Sequence, residues 1–266
     1  MDGVESVDAL RVASRLGPYF AWQPWDGEPG WRPLRDLLDE DVVAERVEVA
    51  RATLVQMSGR DREAIGERAV ASITFLGIAS RLISPLLGAA AAGDALPIPD
   101  VDRLWWQPVP GGPMPIAYRD LAAMPCAGEP ARAIAGELTA SGTIGLVQPL
   151  LEAFRSRFAL SPQVLWGNLA SALGGAAGMI ADQQPAHAAR AASIVEEALR
   201  RPPLRFTADL VQPDLGCDRW FLVRRNCCLY YRIPGGGTCG DCVLTPVDDR
   251  QRHWRAVLAR MSSNPT

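Results

Sequence analysis

Four cysteines fall within sixteen residues, Cys227, Cys228, Cys239 and Cys242, in the pattern C-C-x10-C-x2-C. Four thiolates are what an iron–sulfur core needs, because soft sulfur donors suit iron–sulfide chemistry. The C-x2-C pair can bring two sulfurs to one metal, with Gly240 letting the backbone curl between them. The vicinal pair is less usual, since neighbouring side chains diverge and chelating one ion through both is strained. The same donors serve a structural four-cysteine zinc site, and Cys239 with Cys242 alone would serve as a redox disulfide. The vicinal pair argues against zinc without excluding it, so spacing leaves all three chemistries open.

The flanks carry charge and turn residues. A [2Fe–2S] core with four thiolates sums formally to about −2, and to about −3 after one electron is added. Arg224, Arg225 and Arg232 would stabilise that charge and raise the reduction potential. Backbone amides of Gly235, Gly236 and Gly237 would donate to the sulfurs and act in the same direction. The plainer readings are a solvated basic face and an ordinary turn.

The rest of the chain must position this segment. Its 266 residues are 48% hydrophobic and 21% charged, an ordinary globular composition with enough apolar residues for a core. The net charge of −3 favours neither nucleic acid nor an anionic membrane, and all 27 basic residues are arginines. The first residues, Met1 to Glu5, lack a basic start followed by an apolar run, so a cytoplasmic protein is expected. The most apolar stretch, 69–93, is interrupted by Arg81 and Pro85 and reads as a buried core helix rather than a transmembrane segment. A reducing compartment disfavours disulfides and turns clustered cysteines toward metal or redox work. Cys217 stands apart from the cluster, and Cys126 is distant.

Apolar periodicity predicts a mainly α fold. Val43, Val47, Ala50 and Leu54 mark one helix; Val147, Leu150, Leu151, Phe154 and Phe158 mark another. Ser161-Pro162 is an N-cap followed by proline at the first helical position. Leu165, Leu169, Leu173 and Ile180 continue as the stripe of that helix, where Gly174 and Gly175 predict close packing against another backbone. Ala191 to Leu199 is a further helix, stopped by Pro202-Pro203. The segment 23–33 reads as a loop, 104–118 as a short hairpin, and 250–261 as a closing helix. The expected organisation is a helical body over 1–203, with a small hairpin and irregular region, and a C-terminal iron–sulfur segment over 204–266 packed on it.

At the cysteine segment the sequence resembles the FhuF-like ferric-siderophore reductases, which carry a C-terminal C-C-x10-C-x2-C motif. Arg225 before the pair, Tyr230-Tyr231 after it, the glycine turn and Cys239-Gly240-Asp241-Cys242 carry the resemblance. Weaker similarity extends to Leu165-Trp166-Gly167-Asn168, to Arg81 through Leu86, and to Trp105-Trp106. The resemblance implies a [2Fe–2S] cluster on Cys227, Cys228, Cys239 and Cys242, with Arg225, Arg232, Gly236 and Gly237 around it.

It also implies an oxidoreductase: one-electron reduction of a ferric siderophore, with hydroxamate chelates favoured, to release Fe2+. An electron donor is then required; nucleic acid is not a partner, and peripheral membrane contact remains open. Such a reaction needs no general base or nucleophile, and the two histidines, His187 and His253, lie in no catalytic motif. On this reading Trp105, Trp106 and Trp166 line a docking surface and Arg81 attracts an anionic chelate; core packing and a structural ion pair are the plainer alternatives. The competing functions are an electron-transfer or redox-sensing protein, and a helical binding protein with a structural zinc site.

Overall fold

The computed structural model describes residues 2–263, and helices carry most of them. In chain order the first half holds α1 (Asp2–Ser14), β1 (Trp22–Pro24), β2 (Arg32–Pro33), α2 (Glu40–Ser58) and α3 (Glu67–Ala92). Four short strands follow, β3 (Ala95–Ile98), β4 (Leu104–Trp106), β5 (Ile116–Tyr118) and β6 (Ala122–Pro125). Then α4 (Ala131–Glu137), a π-helical stretch Leu138–Val147 and α5 (Gln148–Phe158) run on without a break. The remainder is α6 (Pro162–Gln183), α7 (Ala188–Leu199), the strands β7 (Ala208–Val211) and β8 (Phe221–Arg224), and α8 (Val247–Ser263).

Capping chemistry sets several of these boundaries. The Asp39 carboxylate accepts from the amides of Asp41 and Val42 to start α2, and Gly59, at φ 61°, ends it. Ser161 Oγ accepts from the Gln163 amide at 3.3 Å, with Pro162 at the first turn of α6. The Ser161-Pro162 start is the one read from the sequence.

α3 and α6 pack against each other through the centre of the fold. Both are long and apolar enough to cross a membrane, yet 72% of the most apolar window of each is buried inside the fold, the signature of core helices. α3 passes through Pro85, which cannot donate to the Arg81 carbonyl. The Trp22 indole N–H takes that place, donating to the Arg81 carbonyl at 2.8 Å. A tertiary contact thus offsets the helix-breaking residue.

The expected hairpin is present: β4 and β5 pair antiparallel with Trp105 opposite Ala117. It is the centre of a four-stranded sheet in the order β1-β5-β4-β2, with β1 parallel to β5. The segment 23–33, expected to be a loop, contributes to both edge strands. Strands of two and three residues are too short to show alternation, so the sequence pattern concealed them. Trp25 stacks on Trp105 with ring centroids 4.2 Å apart. The β3–β6 pair and the β7–β8 hairpin are two further additions to the expected picture.

The C-terminal part shares the core of the helical body, to which Ala208, Leu222 and Ile233 belong. β8 lies against α6, whose glycines make room for it. A Cβ on Gly174 would stand 2.5 Å from Leu222, and one on Gly178 would stand 2.8 Å from Arg219. The close neighbour is therefore a set of side chains, not a backbone. Gly175 meets nothing within 4 Å, so only Gly174 of that pair serves packing.

Candidate metal centre

β8 delivers the first cysteine pair, and α8 begins shortly after the second. Cys228 and Cys242 are buried, whereas Cys227 and Cys239 are half-buried, so each pair has one inner and one outer member. Cys228 Sγ lies 3.4 Å from Cys239 Sγ, a contact that joins one cysteine of each pair. Among the described residues no three His, Cys, Asp or Glu side chains converge to hold a single ion.

The backbone already donates to the sulfurs. Leu229 N–H points to Cys227 Sγ and Leu244 N–H to Cys242 Sγ, each at 3.3 Å, and the Tyr230 amide serves Cys228. All three are bonds from the residue two positions on, the local turn that stabilises a thiolate. Leu229 adopts φ +68° within this turn, an uncommon conformation for a non-glycine residue. The Cys228–Cys239 contact lowers the Cys228 pKa to about 6, with the Tyr230 amide and the Arg224 charge assisting against burial, and it raises that of Cys239.

A buried polar chain fixes the segment to the two central helices. Ser72 Oγ on α3 donates to the Cys228 carbonyl at 2.7 Å. Asn168 Nδ2 on α6 donates to Ser72 O at 2.8 Å and to its Oγ at 3.0 Å. Arg224 Nη2 donates to Asn168 Oδ1 at 2.7 Å and to Asn226 Oδ1 at 3.1 Å. The second cysteine pair is held likewise: Ser171 Oγ donates to Asp241 Oδ2 at 2.5 Å, and the Arg224 amide donates to the Asp241 carbonyl at 3.0 Å. Gly167 belongs to the same arrangement, because a Cβ there would fall 2.0 Å from Asn226 Oδ1. Sequence reasoning missed Ser72 and Ser171 and gave Asn168 no role. The available signal was the few polar residues set within the apolar helices, Ser72 in α3 and Asn168 and Ser171 in α6.

The surrounding residues divide. Arg232 sits beside Tyr231, with Nε donating to its hydroxyl at 3.1 Å, and its charge interacts with Cys227. Arg225 is exposed and bound to both Asp209 oxygens at 2.7 and 2.8 Å, so its charge is matched on the β7–β8 hairpin. The Gly236 amide donates to the Ile233 carbonyl at 2.9 Å, a turn bond in place of the expected bond to sulfur. Gly237, at φ +68°, serves turn geometry that a side chain would strain.

The tryptophans and the arginine read as a docking surface have packing and hydrogen-bonding roles in the fold. Trp106 is fully buried, Trp105 is stacked on Trp25, and Trp166 is half-buried against the core. Arg81 is buried, and each of its three guanidinium nitrogens donates to a carbonyl, Met114 at 2.6 Å, Ala21 at 2.7 Å and Pro18, which fixes its place in the fold. Cys126 is buried, with its pKa pushed up to about 11 chiefly by desolvation. Cys217 lies in the β7–β8 connection, where its carbonyl accepts from Gln212. His253 is exposed and shares a depression with Gly240 and Asp241; His187 is half-buried in a turn before α7.

Four thiols, three amide-to-sulfur bonds and a buried guanidinium with open donors (Arg224 Nε and Nη1) suit an anionic iron–sulfur core. A helical body carrying such a loop defines an iron–sulfur protein of mainly α build. Residues 224–244 match the family model described as FhuF 2Fe-2S C-terminal domain. The match supports the FhuF-like family for this chain and a [2Fe–2S] cluster as its cofactor. No curated protein matches the chain.

Proposed function

We propose that this protein is a cytoplasmic siderophore-iron reductase, accepting an electron from a separate donor and passing it to ferric iron in a hydroxamate-type chelate. The observation that carries the reading is the match to a FhuF 2Fe-2S C-terminal domain, on cysteines of which two are half-buried. When bound, the [2Fe–2S] cluster supplies a one-electron couple. Ligands at the edge of the fold leave an external chelate a short path to that couple. Hard oxygen ligands hold Fe3+ far more tightly than Fe2+, so one electron loosens the complex without breaking any bond of the chelator.

The chain supports this with a run of three adjoining depressions of ≈ 300, 440 and 300 Å³. The first and second share Tyr19, Ile73 and Gly77; the second and third share Ser171, Gly175 and Met179. The third reaches Gly240 and Asp241, inside the C-x2-C turn. A chelate seated there would meet α2, the 109–114 loop, Arg46 and Arg81 at one end, small residues and hydroxyls of α3 and α6 in the middle, and the cysteine turn at the other end.

The test is single turnover. Anaerobic protein reduced with dithionite and freed of excess reductant is mixed with a ferric hydroxamate, with a colorimetric Fe2+ trap present. Recovery of the oxidised spectrum together with trapped Fe2+ supports the reductase reading. Reoxidation by small electron acceptors but not by the chelate refutes it in favour of an electron-transfer or sensing role.

A further inference from the structure

We infer that Arg224 is the built-in counter-charge of the cluster and that its buried guanidinium sets the reduction potential. This rests on the [2Fe–2S] reading of the cysteine segment. Arg224 is 1% exposed, and a cation that far from water must be matched by an anion or by a full set of acceptors. It has neither within the described protein. Its Nη2 serves Asn168, Asn226 and, at 3.5 Å, the Val164 carbonyl, while Nε and Nη1 have no partner. No carboxylate among the described residues pairs with it. The nearby acids are engaged elsewhere: Asp241 accepts from Ser171, and Asp209 holds Arg225.

Two other deeply placed arginines, Arg81 and Arg219, are matched, while the half-buried Arg250, which donates to the Cys242 carbonyl at 3.1 Å, has a buried Nε without a partner. Arg81 has a carbonyl on each guanidinium nitrogen, and Arg219 is paired with Asp182 at 2.9 Å. Of Arg81, Arg219 and Arg224, only Arg224 has buried guanidinium nitrogens without a partner, and it stands at the start of the segment that carries both cysteine pairs. The Asn168–Ser72 chain ties its position to the Cys228 carbonyl, and its own amide donates to the Asp241 carbonyl, between Cys239 and Cys242, at 3.0 Å. A fixed positive charge in a low-dielectric site stabilises the more negative, reduced form of the cluster, which raises the potential. The neutral Asn168 and Asn226 hold the guanidinium without neutralising it.

The experiment is an EPR-monitored redox titration of the purified holoprotein with iron and sulfide quantified. Arg224→Gln removes the charge and keeps an amide for the two asparagines; the potential is expected to shift negative with the cluster retained. Arg224→Lys is expected to shift it less, and Arg225→Gln, at an exposed and paired position, not at all. A fully loaded Arg224→Gln protein at the wild-type potential overturns the inference. Should that variant fail to fold, Asn226→Asp sets a carboxylate against Arg224 from a half-buried position. Its potential is expected to fall, and an unmoved potential likewise overturns the inference. Failure of the underlying reading gives a different result, wild-type protein without iron or sulfide.

Discussion

The body around Arg81 and the cysteine segment around Arg224 solve the same problem in opposite ways. Both regions bury an arginine beneath helices, at 3% and 1% exposure. Around Arg81 the chain supplies three backbone carbonyls, and desolvation lowers its pKa to about 10. Around Arg224 it supplies two asparagine oxygens and one long carbonyl contact, leaving two donors open. A buried cation with a partner on every nitrogen stitches loops to a helix; one with two nitrogens unpartnered beside thiols is provision for an anionic group. Burial alone does not separate structure from function, but the accounting of donors does.

The largest effects fall on the cysteines. Cys227→Ser or Cys239→Ser is expected to abolish the visible spectrum and bound iron, and a retained spectrum in both would sink the ligand assignment. Arg81→Gln should strand buried carbonyls and cost about 3 kcal/mol or more in denaturant unfolding. It should leave the cluster potential of whatever protein folds unchanged; a shift in potential would erase the contrast with Arg224. Gly167→Ala should cost about 1–3 kcal/mol through its clash with Asn226 and should lower iron occupancy. Gly175→Ala, with open space around it, should instead be neutral or stabilise by roughly 0.5–1 kcal/mol in thermal unfolding. Ser161→Ala sharpens the comparison at its small end, losing about 1 kcal/mol of α6 capping without touching the spectrum.

Much of this was legible in the sequence, for reasons that also explain what was not. The helices α2, α5, α6 and α7 announced themselves through periodicity and caps, and C-C-x10-C-x2-C exposed the donor set directly. The short sheet strands carried too few residues for a period, so 23–33 read as a loop. Arg224, Arg225 and Arg232 are indistinguishable in a linear string. Only the fold shows that β8 sends Arg224 into the core and leaves Arg225 exposed beside Asp209. Ser72 and Asn168 were concealed because their partner, the Cys228 segment, lies 156 residues from Ser72 along the chain. Of the tryptophans that could have lined a docking surface, Trp106 is taken up by the core and Trp166 packs against it, the plainer of the two readings the sequence allowed.

The most direct test is the spectrum and metal content of anaerobically purified protein before and after dithionite. The account predicts a red-brown protein with about two iron and two acid-labile sulfide per chain, whose visible bands bleach on reduction. A colourless protein carrying stoichiometric zinc would contradict it and make the C-terminal cysteines a structural clasp.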